Sequence, residues 1–310
     1  MIGTGLSILQ TASNPYITIV GPIDSAAKRI SIMGICNKLA GVLAPIILGA
    51  VILSDADSLV NELKVLDIVE KTQRLNELAS RVILPYSLMA AVLAVLAVMI
   101  RFSPLPEIEM TQESSSDNQS SESKTSIFQF PNLWLGVISL FLYVGVEVLA
   151  GDTIGSYGQS QGIALSVTKN FTAYTLSAMV IGYIIGIFAI PKFISQSKAL
   201  AISAIVGVLF SLVALHTSGY TSVLFIALLG LANALMWPAI WPLAITGLGK
   251  FTKTGSALLI MAIAGGALLP LLYGKLADIQ FIGHQQAYWI MVPCYLFILF
   301  YSLQGHKIKR

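Results

Sequence analysis

Residues 237–278 read WPAIWPLAITGLGKFTKTGSALLIMAIAGGALLPLLYGKLAD. Two apolar runs flank a short polar turn, GLGKFTKTG (247–255). A helix that crosses a bilayer needs about 20 mostly apolar residues, and the run after the turn reaches that length. The pattern recurs earlier in the chain at an offset of 225 residues. Gly5 and Leu6 fall on Gly230 and Leu231, Lys28 on Lys253, and Ser31 on Ser256. Gly41, Leu43, Pro45 and Gly49 fall on Gly266, Leu268, Pro270 and Gly274. Glycine and proline carry the weight of this match, because each has a backbone reason for its place in a helix.

The wider composition fits a membrane setting. Of 310 residues, 56% are hydrophobic and only 11% charged, where a soluble domain has about 25% charged residues. Mean hydropathy is +0.81. Disorder, collagen and disulfide scaffolds are excluded by the same figures. The net charge of +3 is small and its cations are dispersed, so no basic stripe for nucleic acid is expected. Cys36 and Cys294 lie in apolar runs and read as small buried hydrophobes. His216, His284 and His306 are far apart, so neither metal nor cofactor is expected.

Nine apolar runs can be marked: 2–20, 29–53, 82–102, 133–156, 171–190, 198–216, 221–245, 255–277 and 285–303. The first has no basic leader and carries Gln10, Asn14 and Pro15 in its middle, unlike a signal peptide. Period-two alternation of a membrane barrel is absent. Residues 54–80 read as a short amphipathic surface helix, with Leu59, Leu63, Leu66, Val69 and Leu78 at helical spacing. Residues 103–130, which include ESSSDNQSSESK, read as a flexible cytoplasmic linker.

The loops fix an orientation. One side carries Lys28, Arg29, Arg101, Lys124, Lys192, Lys198, Lys250, Lys253, Lys307, Lys309 and Arg310. The other carries Lys64, Lys71, Arg74, Arg81 and Lys169. The positive-inside rule places the richer side, and the C-terminus, in the cytoplasm. Both copies of the repeat then run inward and back, as in a parallel repeat about the membrane normal. Three spans precede the second copy and none the first. The plan predicts six plus six spans, of which this chain holds the last nine. Met1 then reads as an internal start or a fragment boundary. Residues 1–102 form an incomplete N-terminal half with three spans, and 131–310 a six-helix C-terminal half.

Polar groups inside the spans mark the candidate site. Among fifteen acidic residues, only Glu147 sits near the middle of a run. Ionisable groups there are costly and face a cavity or a partner. Glu147 is either a proton carrier or a hydrogen-bonded structural group. Asp152 lies nearer the outer face, and Tyr143 shares the helix face of Glu147. Gln10 and Asn14 share another face, and Asn37 lies between Gly34 and Gly41. Amides donate and accept, which suits a polar substrate, and they also join helices. Gln10 and Asn37 are expected in a central cavity, and Asn14, directly before Pro15, is expected to serve the backbone too. Lys38 either snorkels or pairs with an acidic group in the spans that the six-plus-six plan places before this chain. Asn233, Trp237 and Trp241 recur at i, i+4 and i+8. An indole face suits the apolar face of a ring-shaped substrate, although Trp241 is equally an interfacial anchor. Trp134 and Trp289, at span ends, read as belt residues. Lys28–Arg29 and Lys250…Lys253 read as cytoplasmic anchors or as a gate between halves.

A family resemblance adds to this reading. LSILQTASNPYITIVGP (6–22) looks like the fourth helix of the fucose–proton symporter family, in particular its glucose/galactose branch. ISIMGICNKLAGVLAPIILG (30–49) resembles the fifth helix, FLYVGVEVLAGDTIGSY (141–157) the seventh, and 237–278 the tenth and eleventh. The resemblance implies an all-α polytopic bundle of the major facilitator superfamily. It implies secondary active uptake of a monosaccharide, not enzymology, by cation symport through alternating access. The partners implied are sugar, a coupling proton or sodium, and membrane lipid. The setting is the inner cell membrane. Fucose-type members have a glutamate where this chain has Gln10, so that coupling carboxylate is missing here. A sodium-coupled hexose or N-acetylglucosamine transporter, or a non-transporting sugar sensor, are the alternatives. A sensor needs a soluble output domain, and a membrane enzyme needs a catalytic cluster. Neither is visible in the sequence.

Overall fold

A computed structural model describes residues 2–52, 67–103, 125–168 and 170–308. It is helical at each of the nine apolar runs. The helices are α1 (Ile2–Ile19), α2 (Ala26–Ile52), α3 (Ile68–Ser80), α4 (Ile83–Arg101), α5 (Pro131–Asp152), α6 (Ile154–Ser160), α7 (Leu165–Thr168), α8 (Phe171–Ala189), α9 (Gln196–His216), α10 (Gly219–Asn233), α11 (Met236–Ile245), α12 (Thr252–Met261), α13 (Gly265–Ala277), α14 (Gly283–Ala287) and α15 (Met291–Leu303).

Among the described residues, seven stretches are long and apolar enough to cross a membrane. They are Ile83–Arg101, Pro131–Asp152, Phe171–Ala189, Gln196–His216, Gly219–Ile245, Gly249–Ala277 and Gly283–Lys307. The two remaining runs, α1 and α2, are helices of 18 and 27 residues with polar groups in their length. The surface helix expected within 54–80 is found as α3, whereas Leu59, Leu63 and Leu66 lie outside the described residues. Most of the expected linker, 104–124, does so too.

The helix limits follow the repeat. Moved by 225, α2 covers 251–277, and α12 with α13 covers 252–277. A 3₁₀ turn precedes each copy, at Ile23–Ser25 and Gly249–Phe251. Ser31 and Ser256, which fall on one another, are both fully buried. The second copy alone is interrupted, by a 3₁₀ turn at Ala262–Ala264.

Two compact units divide the chain, and they are not the two sequence halves. Residues 39–109 form one unit, and 1–38 with 110–310 the other. The reason is that α1 packs along α12, and the start of α2 is bonded to the start of α9. In the smaller unit, α4 is almost wholly apolar and buries none of its side chains. Its composition is that of a bilayer span.

In the larger unit α5 is central, in contact with α10, α11, α13 and α15. The helix α9 packs against α10 and α15, and α8 packs against α10. Membrane helices approach closely through small residues. A Cβ on Gly265 would lie 1.9 Å from the Phe141 carbonyl oxygen, and one on Gly230 would lie 2.1 Å from that of Thr175. Only glycine fits at these two crossings.

Candidate functional site

The start of α2 presents one stripe to its neighbours. Ala27, Ser31, Gly34 and Lys38 recur at spacings of four, three and four, so they share a helix face. Ala27 donates its backbone N–H to Oε1 of Gln196 at 3.1 Å, and Nε2 of Gln196 donates to the Ile23 carbonyl at 2.8 Å. Ser31 is buried and donates to the Ala27 carbonyl. At Gly34 the Tyr183 ring leaves only 2.7 Å to where a Cβ would stand. One turn on, Nζ of Lys38 forms an ion pair with Oε1 of Glu147.

Tyr143 lies one turn earlier than Glu147 on α5 and shares its helix face. Tyr143 is 1% exposed, and its ring centroid lies 6.4 Å from that of Trp237. Trp237 in turn stacks on Trp241 at 5.6 Å, with the planes 26° apart. An aromatic run thus leads from Trp241 through Trp237 to Tyr143, one turn from Glu147. Trp241 is fully buried and Trp237 half-buried. The interfacial anchor considered for Trp241 does not match this burial.

Asn233 ends α10, and the helix is interrupted before Met236. The expected stripe of Asn233, Trp237 and Trp241 therefore crosses a break, which the nearby Pro238 accommodates. Asn233 is fully buried, and its Oδ1 accepts from the Tyr295 hydroxyl at 2.9 Å. Its Nδ2 has no hydrogen-bond partner among the described residues.

On α1, Asn14 is buried and its Nδ2 donates to the Gln10 carbonyl at 3.0 Å, one turn back. Gln10 is half-buried. Asn37 is exposed. The structure thus joins Tyr143, Trp237 and Trp241 by contact, with Glu147 one turn from Tyr143 on the same helix face, and sets Asn233 against Tyr295. It does not join Gln10, Asn14 or Asn37 to them by any described bond.

Sequence reasoning missed three features. Lys38 has its acidic partner on α5, 109 residues away. Arg29 is no simple anchor: it donates to the carbonyls of Ile17, Thr18, Gly21 and Pro22 and to Oγ of Ser25. Gln196, at the first position of α9, bonds to both sides of the turn before α2, and nothing in its sequence neighbourhood signals this. The stripe at 27, 31, 34 and 38 was the available signal for Lys38. Trp134 is only half-buried and stacks on Phe128, and Trp289 is 44% exposed.

Comparison with known proteins adds the family. No family model matches the chain. The glucose/galactose transporter of Brucella abortus is 34% identical over 310 residues, covering 99% of this chain and 70% of the relative. The chain belongs to the glucose/galactose branch of the fucose–proton symporter family, within the major facilitator superfamily. The L-fucose-proton symporter of Escherichia coli is 25% identical over 284 residues, covering 90% of this chain and 64% of the relative. These family members are transporters and not enzymes. A crystal structure of the major facilitator transporter FucP in the outward conformation superposes with a TM-score of 0.82 at 23% identity. It covers 96% of this chain and 72% of that one, and the match is one of fold. The chain is thus an all-helical, multi-pass membrane protein of this family.

Proposed function

We propose that the chain carries a glucose- or galactose-like hexose across the inner cell membrane by proton symport. The family relatives support sugar as the cargo: one is named a glucose/galactose transporter and another an L-fucose-proton symporter. The observation that carries the reading at the site is the half-buried Trp237, set between buried Tyr143 and buried Trp241. A half-buried indole offers a pyranose the apolar surface that its C–H groups need. The unpartnered Nδ2 of Asn233, one helical turn before Trp237, is a donor for a sugar hydroxyl. Gln10, Asn14 and Asn37 are the polar contacts from α1 and α2 on this reading.

Glu147 is the coupling acid in this account. Tyr143 shares its helix face and belongs to the aromatic run, so sugar and proton sites adjoin. Its ion pair ties α2 to α5, which belong to different halves of the repeat plan, 1–102 and 131–310. A change of charge at Glu147 therefore bears directly on whether the halves hold together, which is what alternating access requires. The excess of Lys and Arg on one set of loops supports a cytoplasmic C-terminus.

The test is uptake of labelled glucose, galactose, fucose and N-acetylglucosamine by cells expressing the protein, with and without a protonophore. Glucose or galactose should accumulate, and the protonophore should abolish accumulation. Uptake confined to fucose or N-acetylglucosamine would overturn the hexose assignment. Glu147→Gln should lose accumulation while labelled sugar still exchanges across the membrane, because exchange moves no net proton.

A further inference from the structure

Lys38 neutralises the Glu147 carboxylate without any ion from solution. Among the described residues, Lys38 from α2 bonds to its carboxylate, and Tyr143 and Asp152 on its own helix, Tyr183 on α8 and Tyr295 on α15 are near enough to interact with it electrostatically; Asp152 is exposed, so water screens its charge. Lys38 is the one cation in that set. The Lys38 and Glu147 side chains are 18% and 17% exposed. The other ion pairs described, Arg74–Glu77 and Arg81–Glu77, lie on or beside the surface helix α3. Within a membrane, an ammonium or a carboxylate alone is costly, and breaking a buried pair strands the partner.

These facts set a condition on any coupling cation. A proton or a sodium ion that reaches Glu147 brings a second positive charge to the carboxylate that Lys38 already neutralises, since Asp152 is exposed and screened by water. It is compensated only if the Lys38 ammonium gives up its place.

We propose that Lys38 is a resident counter-ion that competes with the coupling cation for Glu147. The proposal rests on the reading of Glu147 as the coupling acid. With Lys38 seated, the Lys38–Glu147 pair is neutral, and the carrier can exchange sugar without taking an ion from solution. When a cation takes the carboxylate, α2 loses its charged tie to α5. Gly34 makes this contest local, since Tyr183 packs directly on its backbone and fixes the reach of the lysine one turn later. Lys38 is thus a specificity-determining residue, which decides how strictly transport requires a cation.

The experiment measures exchange of labelled galactose by preloaded cells. It compares alkaline potassium buffer with acidic buffer and with sodium buffer, so that its arms distinguish the two cations. Wild type should exchange in alkaline potassium buffer, because Lys38 neutralises Glu147. In Lys38→Gln, exchange there should fall several-fold and be restored by acid or by sodium, whichever is the coupling ion. Lys38→Arg should keep cation-independent exchange, and Lys38→Gln with Glu147→Gln should regain it. A well-expressed Lys38→Gln protein with the wild-type cation response would overturn the proposal. If Lys38→Gln does not reach the membrane, wild type and Lys38→Arg decide it: a strict cation requirement for exchange in either overturns it. The underlying reading fails separately. If Glu147→Gln still accumulates sugar, Glu147 is not the coupling acid. If it loses accumulation while Lys38→Gln behaves as wild type, only the counter-ion role is lost.

Discussion

Arg29 donates to the carbonyl of Thr18 at 2.7 Å, across eleven residues of chain. The same guanidinium reaches Ile17, Gly21, Pro22 and Ser25. The last carbonyls of a helix have no partner within it, and a cation there also opposes the helix dipole. Arg29 therefore closes the C-terminus of α1 and fixes the turn into α2.

Arg29→Ala should lower stability by about 1–2 kcal/mol, the scale of a lost charged cap with its hydrogen bonds. Arg29→Lys should recover only part of it, because an ammonium lacks the planar fork. Thermal unfolding in detergent, followed by size exclusion, measures both. Equal melting temperatures for wild type and Arg29→Ala would show that the cap contributes nothing.

Gln196 bonds to both sides of the turn that opens α2, through Ile23 and Ala27. Gln196→Leu leaves both groups without it and should cost on the order of 1–3 kcal/mol. Gln196→Glu still accepts from Ala27 but cannot donate to Ile23, so its stability should fall between the two. The same melting assay ranks the three proteins.

Gly265 and Gly274 lie on one helix and make a paired test. A methyl at Gly265 meets the Phe141 carbonyl oxygen, which is backbone and cannot swing away. Gly265→Ala should destabilise by on the order of 1–3 kcal/mol or prevent folding. At Gly274 nothing lies within 4 Å, so Gly274→Ala should leave the melting temperature unchanged or slightly raised. The reverse ranking would mean that α5 and α13 do not cross at Gly265.

Trp237 is the residue on which the sugar assignment turns. Trp237→Ala should raise the apparent KM for the transported hexose about tenfold, equivalent to ~1.4 kcal/mol. Trp237→Phe, which keeps an aromatic face, should stay nearer wild type. Kinetics of initial uptake distinguish them. An unchanged KM in a well-expressed Trp237→Ala protein removes the indole from the sugar site.

The helices were legible in the sequence because hydropathy and glycine–proline placement are local properties. Nine apolar runs could be marked from composition, and each is helical. The repeat was legible for the same reason: Gly41, Pro45 and Gly49 fall on Gly266, Pro270 and Gly274 at a constant offset. Asn14 before Pro15 could be read as serving the backbone, since both residues act within one turn.

What the sequence left open depends on how each helix is rotated and what meets it. Asn37 and Lys38 are neighbours, yet the rotation of α2 exposes the amide and turns the ammonium inward. Trp241 has the sequence features of an interfacial anchor, but the packing around α11 buries it completely. Lys38 was visible as an unexplained charge in an apolar run. Its partner was not, because Glu147 lies on another helix and only the tertiary approach of α2 to α5 brings the two together. Periodicity gives the face of a helix that is buried; only the tertiary structure decides which charge waits on the other side of the contact.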